Sequence, residues 1–188
     1  GYLKLYEIGP WSEKECLFNF NTLRITMEFK DMANLIFNEI KPKLENNQGL
    51  SIFAKERAKF EGWLKVELCD SLSKYFKDVA PERDRVDITF ENWAIELKTI
   101  NTNIRYKNVK NKHRPITRNT QGVIDDIEKL KSTSYINRAV LFVVFPIIHD
   151  NENWQVQLQR ISKLLREIVH IHFYFKNNIP GVVYFGSI

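Results

Sequence analysis

Asp87, Glu96 and Lys98 are the residues whose types and spacing carry the clearest chemistry in this chain. Segments 85–90 and 93–100 alternate apolar and polar residues with period two and are separated by Glu91 and Asn92, which reads as a tight hairpin. With a two-residue turn Phe90 pairs with Trp93, and equal steps backward set Asp87 opposite Glu96. Side chains opposed in this way have Cβ atoms about 4.5–5.5 Å apart, so two carboxylates there repel and weaken the sheet. Some counter-charge must offset that repulsion. Lys98, two residues beyond Glu96, shares its face, while Ile95, Leu97 and Thr99 line the other face with Val86, Ile88 and Phe90. One face is expected to be apolar and the other chemical. A hard divalent cation suits the acidic pair, because Mg²⁺ takes one or two protein carboxylates and fills its shell with water and phosphate oxygens. A lysine beside it orients a water or stabilises an oxyanion. Any amphipathic hairpin has a polar face, and what sets this one apart is that both opposed residues are acids. The pairing depends on the turn: Glu-Asn lacks the glycine that favours a two-residue primed turn, and a slip of one residue takes Asp87 off line.

A third acid is expected from the preceding helix. Glu67 lies three residues after Leu64 and borders the apolar stripe, with Glu61 and Glu56 as alternatives for the same part. On the other side of the hairpin the charge changes character. Segment 101–118 holds six cations, Arg105, Lys107, Lys110, Lys112, Arg114 and Arg118, with His113 and no Asp or Glu. Removing those six from 28 leaves 22 cations against 23 anions, so the whole net charge of +5 is local to this stretch. A basic segment without apolar period, containing Pro115, reads as a solvated loop that can touch a polyanion, and nucleic acid is the natural partner. Gln121 opens the helix expected at 120–131 and could reach a phosphate or a metal-bound water, or simply be solvated. Asp125 and Asp126 are expected early in that helix, where they suit its dipole.

These residues need a scaffold. At 188 residues, with 44% hydrophobic and 27% charged residues and 13 Gly and Pro in all, the chain is expected to form one compact globular domain. Residues 1–50 form an N-terminal extension packed on the core, within which only 27–45 has a helical pattern, and 51–188 is the main domain. Ser51 is placed to cap a long helix over 51–77, carrying Phe53, Phe60, Leu64, Leu68, Leu72 and Tyr75 at helical spacing. A buried strand is expected at 138–148. A helix follows, with Trp154, Leu158, Ile161, Leu165 and Ile168 on one stripe, and then strands at 169–175 and 182–185. The order argues for an α/β or α+β fold, a mixed central sheet flanked by helices. The longest apolar run, 139–148, is interrupted by Pro146 and too short to span a bilayer, so no membrane association is expected. Cys16 and Cys69 form no Cys-x-x-Cys pair and fit a reducing, cytoplasmic setting. His170 and His172 alternate with apolar residues in the last hairpin and read as exposed polar positions, on a surface that could alternatively serve protein interaction.

Over 51–145 the chain resembles the PD-(D/E)XK nuclease superfamily, with its restriction-endonuclease-like core of helix, acid-bearing sheet, helix and strand. Asp87 in Val86-Asp87-Ile88 matches the metal-binding Asp. Glu96 and Lys98 in Ile95-Glu96-Leu97-Lys98 match the Glu-x-Lys element, and Glu67 matches the helix acid of many members. Val86 stands where the namesake pattern has proline. The resemblance implies a Mg²⁺-dependent endonuclease, with Mn²⁺ as a substitute, that hydrolyses phosphodiester bonds in DNA, with the choice between DNA and RNA left open. Asp87 and Glu96 would be the metal ligands and Lys98 the catalytic lysine. It implies a role in restriction or defence, or in recombination or repair, and a homodimer as the form that cuts both strands. The alternative is an inactive nucleic-acid-binding module that keeps the fold.

Overall fold

The computed structural model describes residues 27–111 and 115–188. Its six strands form one mixed sheet in the order β1-β2-β3-β4-β6-β5. They are β1 (Ala80–Pro81), β2 (Ile88–Phe90), β3 (Trp93–Asn101), β4 (Asn137–Phe145), β5 (Glu167–Tyr174) and β6 (Pro180–Ser187). Only β3 and β4 run parallel, which requires a crossover, and α4 (Ile116–Lys131) supplies it. α1 (Phe29–Asn46), α2 (Gln48–Glu56) and α3 (Glu61–Ser73) cover one face, and α4 with α5 (Glu152–Ser162) covers the other. The fold is therefore α/β, a mixed sheet between two helical layers, as its order of elements predicts.

Both faces of the sheet carry a core. Ile36, Ile40, Leu64 and Leu68 meet Ile88, Ile95, Leu97 and Leu141 on one side, and Val123, Ile127 and Trp154 meet Ala94, Val140 and Phe142 on the other. The expected division into one apolar and one chemical face is thus corrected: Glu96 and Lys98 lie in a polar break within a second apolar layer. Val86 belongs to that second layer, because the short 3-10 turn Arg83–Arg85 interrupts strand alternation before Asp87. The expected limit after residue 50 falls inside α2, and α1 shares the core of the sheet.

Four helical expectations are also corrected. The helix over 51–77 is two helices, because Arg57 takes a left-handed conformation (φ 54°, ψ 35°) after α2. Asn47, not Ser51, caps α2, its side-chain oxygen accepting from the Leu50 N–H at 3.0 Å. α4 begins four residues before Thr120, whose hydroxyl donates back to the Ile116 carbonyl at 3.0 Å, so Asp125 and Asp126 are mid-helix residues. α5 stops at Ser162, which leaves Leu165 beyond the helix and Ile168 in β5.

Arg57 also explains the path of the residues just after β3. Its side chain is buried to 1% exposure, and its guanidinium donates to the carbonyls of Lys110 (2.7 Å), Thr102 and Ile104. A charged group hooks the loop after β3 onto the end of α2.

Candidate metal and catalytic site

The hairpin has the register that a two-residue turn demands. Phe90 pairs with Trp93 and Ile88 with Ile95, and Glu91 absorbs the turn with a φ of 47°. One step beyond the last ladder pair, Asp87 faces Glu96. Their carboxyls act directly on one another, and Asp87 Oδ2 accepts the Leu97 N–H at 2.8 Å. Glu96 sits mid-strand, opposite Val140 of the parallel β4, and is only 4% exposed.

Two carboxyls this close cannot both be ordinary carboxylates. Burial and then the neighbouring Asp87 push Glu96 up to about 8, against the pull of Lys129. For Asp87, burial raises the value, but the hydrogen bond from Glu96, the Lys65 ammonium and the Leu97 N–H outweigh it and hold the group below its ordinary range. The pair is best described as one proton held on Glu96 beside an ionised Asp87.

This arrangement links stability to pH. Glu96 binds its proton more tightly folded than unfolded, so its contribution is full below about pH 4.5 and is lost as pH rises to about 8. Asp87 acts oppositely: its contribution is present above its ordinary value of 3.8 and is lost as pH falls through the lower folded value. Urea midpoints should therefore decline between pH 4.5 and pH 8, and Glu96→Gln should flatten the decline. A level wild-type profile that the variant leaves unchanged contradicts the shared proton.

Lysines surround the pair. Lys65 of α3 lies 2.7 Å from Asp87 Oδ1 and also pairs with Glu82, and Lys129 of α4 lies 2.5 Å from Glu96 Oε1. Lys98 shares the Glu96 face of β3 but meets Asp126 of α4, Nζ to Oδ2 at 2.9 Å. Burial opposes the Lys98 charge, yet the Asp126 hydrogen bond raises its value overall. Asp126 is itself raised by burial, against the pull of Lys98.

Among the residues expected at the site, Asp87, Glu96 and Lys98 come together and Glu67 does not. Glu67 is two residues from Lys65, roughly 200° around the helix, and pairs with Lys43 of α1 at 2.7 Å. Its alternative Glu61 is nearer, Oε1 accepting the Thr99 N–H at 3.2 Å, while Glu56 pairs with Lys110. Gln121 is exposed and bonds to Asp125 and to Arg160 of α5, so its contacts lead away from the acidic pair. Arg105, Lys107 and Arg118 are exposed, with no ion pair among the described residues, whereas Lys110 is held by Glu56. Lys112 and Arg114 lie outside the described residues. His170 and His172 have a partner that sequence did not reveal: His149 stacks on His170 with centroids 3.8 Å apart and meets His172 edge-on at 6.1 Å.

Lys65, Asp126 and Lys129 are the site residues that strand alternation could not find. For the two on α4 the signal is helical: with Gly122 they fall at i, i+4 and i+7, one stripe of the helix.

The chemistry of the donor set fits a hard cation. Asp87, just before β2, and Glu96 of β3 present carboxylate oxygens to one another, and the proton on Glu96 marks excess negative charge that a divalent ion would relieve. Among the described residues no group of three or more His, Cys, Asp or Glu is placed to hold a metal, so an ion here would rely on water and substrate oxygens for the rest of its shell. Among the same residues no helix is long and apolar enough to cross a membrane. No family model, no curated protein and no solved structure matches the chain.

Proposed function

We propose that this chain is a Mg²⁺-dependent endonuclease of the PD-(D/E)XK type, with Mn²⁺ as a substitute, that hydrolyses phosphodiester bonds in DNA. The observation that carries the reading is the opposed Asp87–Glu96 pair on the face of the sheet that also bears Lys98. A divalent cation held there would polarise the scissile phosphate and acidify a water. Asp87 and Glu96 supply the oxygen donors. Lys98 brings a positive charge to the same face, where it orients the attacking water and offsets charge on the phosphate. Arg105, Lys107 and Arg118 would take neighbouring phosphates of the nucleic acid. Restriction or defence is the role we favour, ahead of recombination or repair, with a homodimer for cuts in both strands and cytoplasm as the setting.

A second reading, a nucleic-acid-binding module without turnover, is favoured by one observation. Lys65 and Lys129 already pair with both carboxyls, as a purely structural polar network would. Titrating Mg²⁺ or Mn²⁺ into the protein with DNA and RNA substrates separates the readings. Metal-dependent cleavage supports the enzyme, and salt-sensitive binding without cleavage under any divalent metal supports the module.

Both readings predict strong salt dependence. With the three exposed, unpaired cations each on a phosphate, raising salt from about 50 to about 200 mM weakens binding on the order of 40-fold. Replacing Arg105 and Lys107 with alanine should lower the log–log salt slope by about two. An affinity indifferent to salt removes the loop from the interface.

A further inference from the structure

We infer that Asp126 is a positioning residue for Lys98, so that α4, and not the sheet alone, sets where the lysine ammonium stands. This rests on the nuclease reading of the Asp87, Glu96 and Lys98 face. A lysine side chain has four flexible bonds and a point charge at its end, so a strand position fixes its direction but not the place of its Nζ. Among the described residues Asp126 is the group within hydrogen-bond reach of that Nζ, at 2.9 Å, and its own side chain is 16% exposed. Glu61 and Asp87 act on Lys98 only through longer-range attraction.

The helix is shaped for the contact. Gly122 lies one turn before Asp126, and a Cβ there would come within 3.3 Å of Lys98 Cε and 4.0 Å of Nζ. The missing side chain leaves a groove for the lysine stem. Three residues after Asp126, Lys129 pairs with Glu96, so one stripe of α4 touches both ends of the Glu-x-Lys element. The same helix begins directly after the basic loop, and Asn119 ties its first turns to the end of β3 by donating to the Asn101 carbonyl at 3.1 Å.

If Asp126 acts only through Lys98, removing its charge should slow the chemical step and leave substrate binding alone. Asp126→Asn, nearly isosteric, is expected to lower kcat for Mg²⁺-dependent DNA cleavage by about 10- to 100-fold with KM little changed. Asp126→Glu should recover most of it. Gly122→Ala gives an independent route, since alanine favours the helix while its methyl crowds the lysine stem; it should lower kcat in the same way without lowering the unfolding midpoint.

A readout separate from cleavage is the ¹H–¹⁵N signal of the Lys98 ammonium, assigned by its loss in Lys98→Arg. A restrained signal in the wild type that collapses to the solvated-lysine position in Asp126→Asn and returns in Asp126→Glu supports the tether. An unchanged ammonium signal in Asp126→Asn, or an unchanged kcat in both Asp126→Asn and Gly122→Ala, overturns it. Should the wild type cut no substrate with any divalent metal, the nuclease reading falls, and the ammonium spectra still decide whether Asp126 holds Lys98.

Discussion

Asp87→Asn is expected to reduce metal-dependent cleavage by about 10²- to 10³-fold while leaving the chain folded. The combination is the informative part. The amide removes one oxygen donor and one negative charge from the proposed ion site, which costs activity. The same change ends the competition between two buried carboxyls, since Glu96 is pushed up to about 8 partly by the Asp87 charge. Lys65 keeps Glu82 as a partner, so the substitution does not strand an ammonium. Cleavage and urea unfolding measured on one preparation test both halves. A variant that cuts as fast as the wild type rules out Asp87 as a ligand, and one that is inactive because it is unfolded shows that the pair is structural.

The second large effect is expected at Arg57. Arg57→Ala should lower the unfolding free energy by about 3 kcal/mol, because the carbonyls of Thr102, Ile104 and Lys110 all lose a charged donor and Thr102 is fully buried. Lysine should not restore it, since one ammonium cannot reproduce a planar fork that reaches three carbonyls. Arg57→Gly separates the backbone from the side chain. With φ at 54°, glycine removes the left-handed strain and should be about 1 kcal/mol less destabilising than alanine. Denaturant titration of the three variants checks the order. Freed from its hook, the loop bearing Arg105 and Lys107 should also bind nucleic acid more weakly. Equal stability of wild type and Arg57→Ala contradicts the role of the hook.

What could be read in advance follows from which forces are local. The hairpin was legible because a two-residue turn and period-two alternation set the register by counting, and that register is what brings Asp87 to Glu96. The α/β order was legible from hydrophobic period. The break at Arg57 was not, because it depends on a side chain binding carbonyls 45 to 53 residues away, and helical periodicity carries no sign of a buried arginine. The start of α4 lies one turn earlier than hydrophobic period alone indicates, because Thr120 bonds back to Ile116 inside the helix. That shift of one turn made Asp126 look like a dipole partner when it is a neighbour of Lys98. Glu67 borders the apolar stripe as expected, but the stripe is covered from two sides, and Lys43 of α1 claims the carboxylate.

The central claim is that the two opposed acids form a seat for a divalent cation. Anomalous diffraction from crystals soaked in Mn²⁺ tests it most directly. The account predicts a peak between the Asp87 and Glu96 carboxylates, with Lys129 turned away from Glu96. A Mn²⁺-saturated crystal with no peak there, and with Lys129 still paired with Glu96, contradicts it.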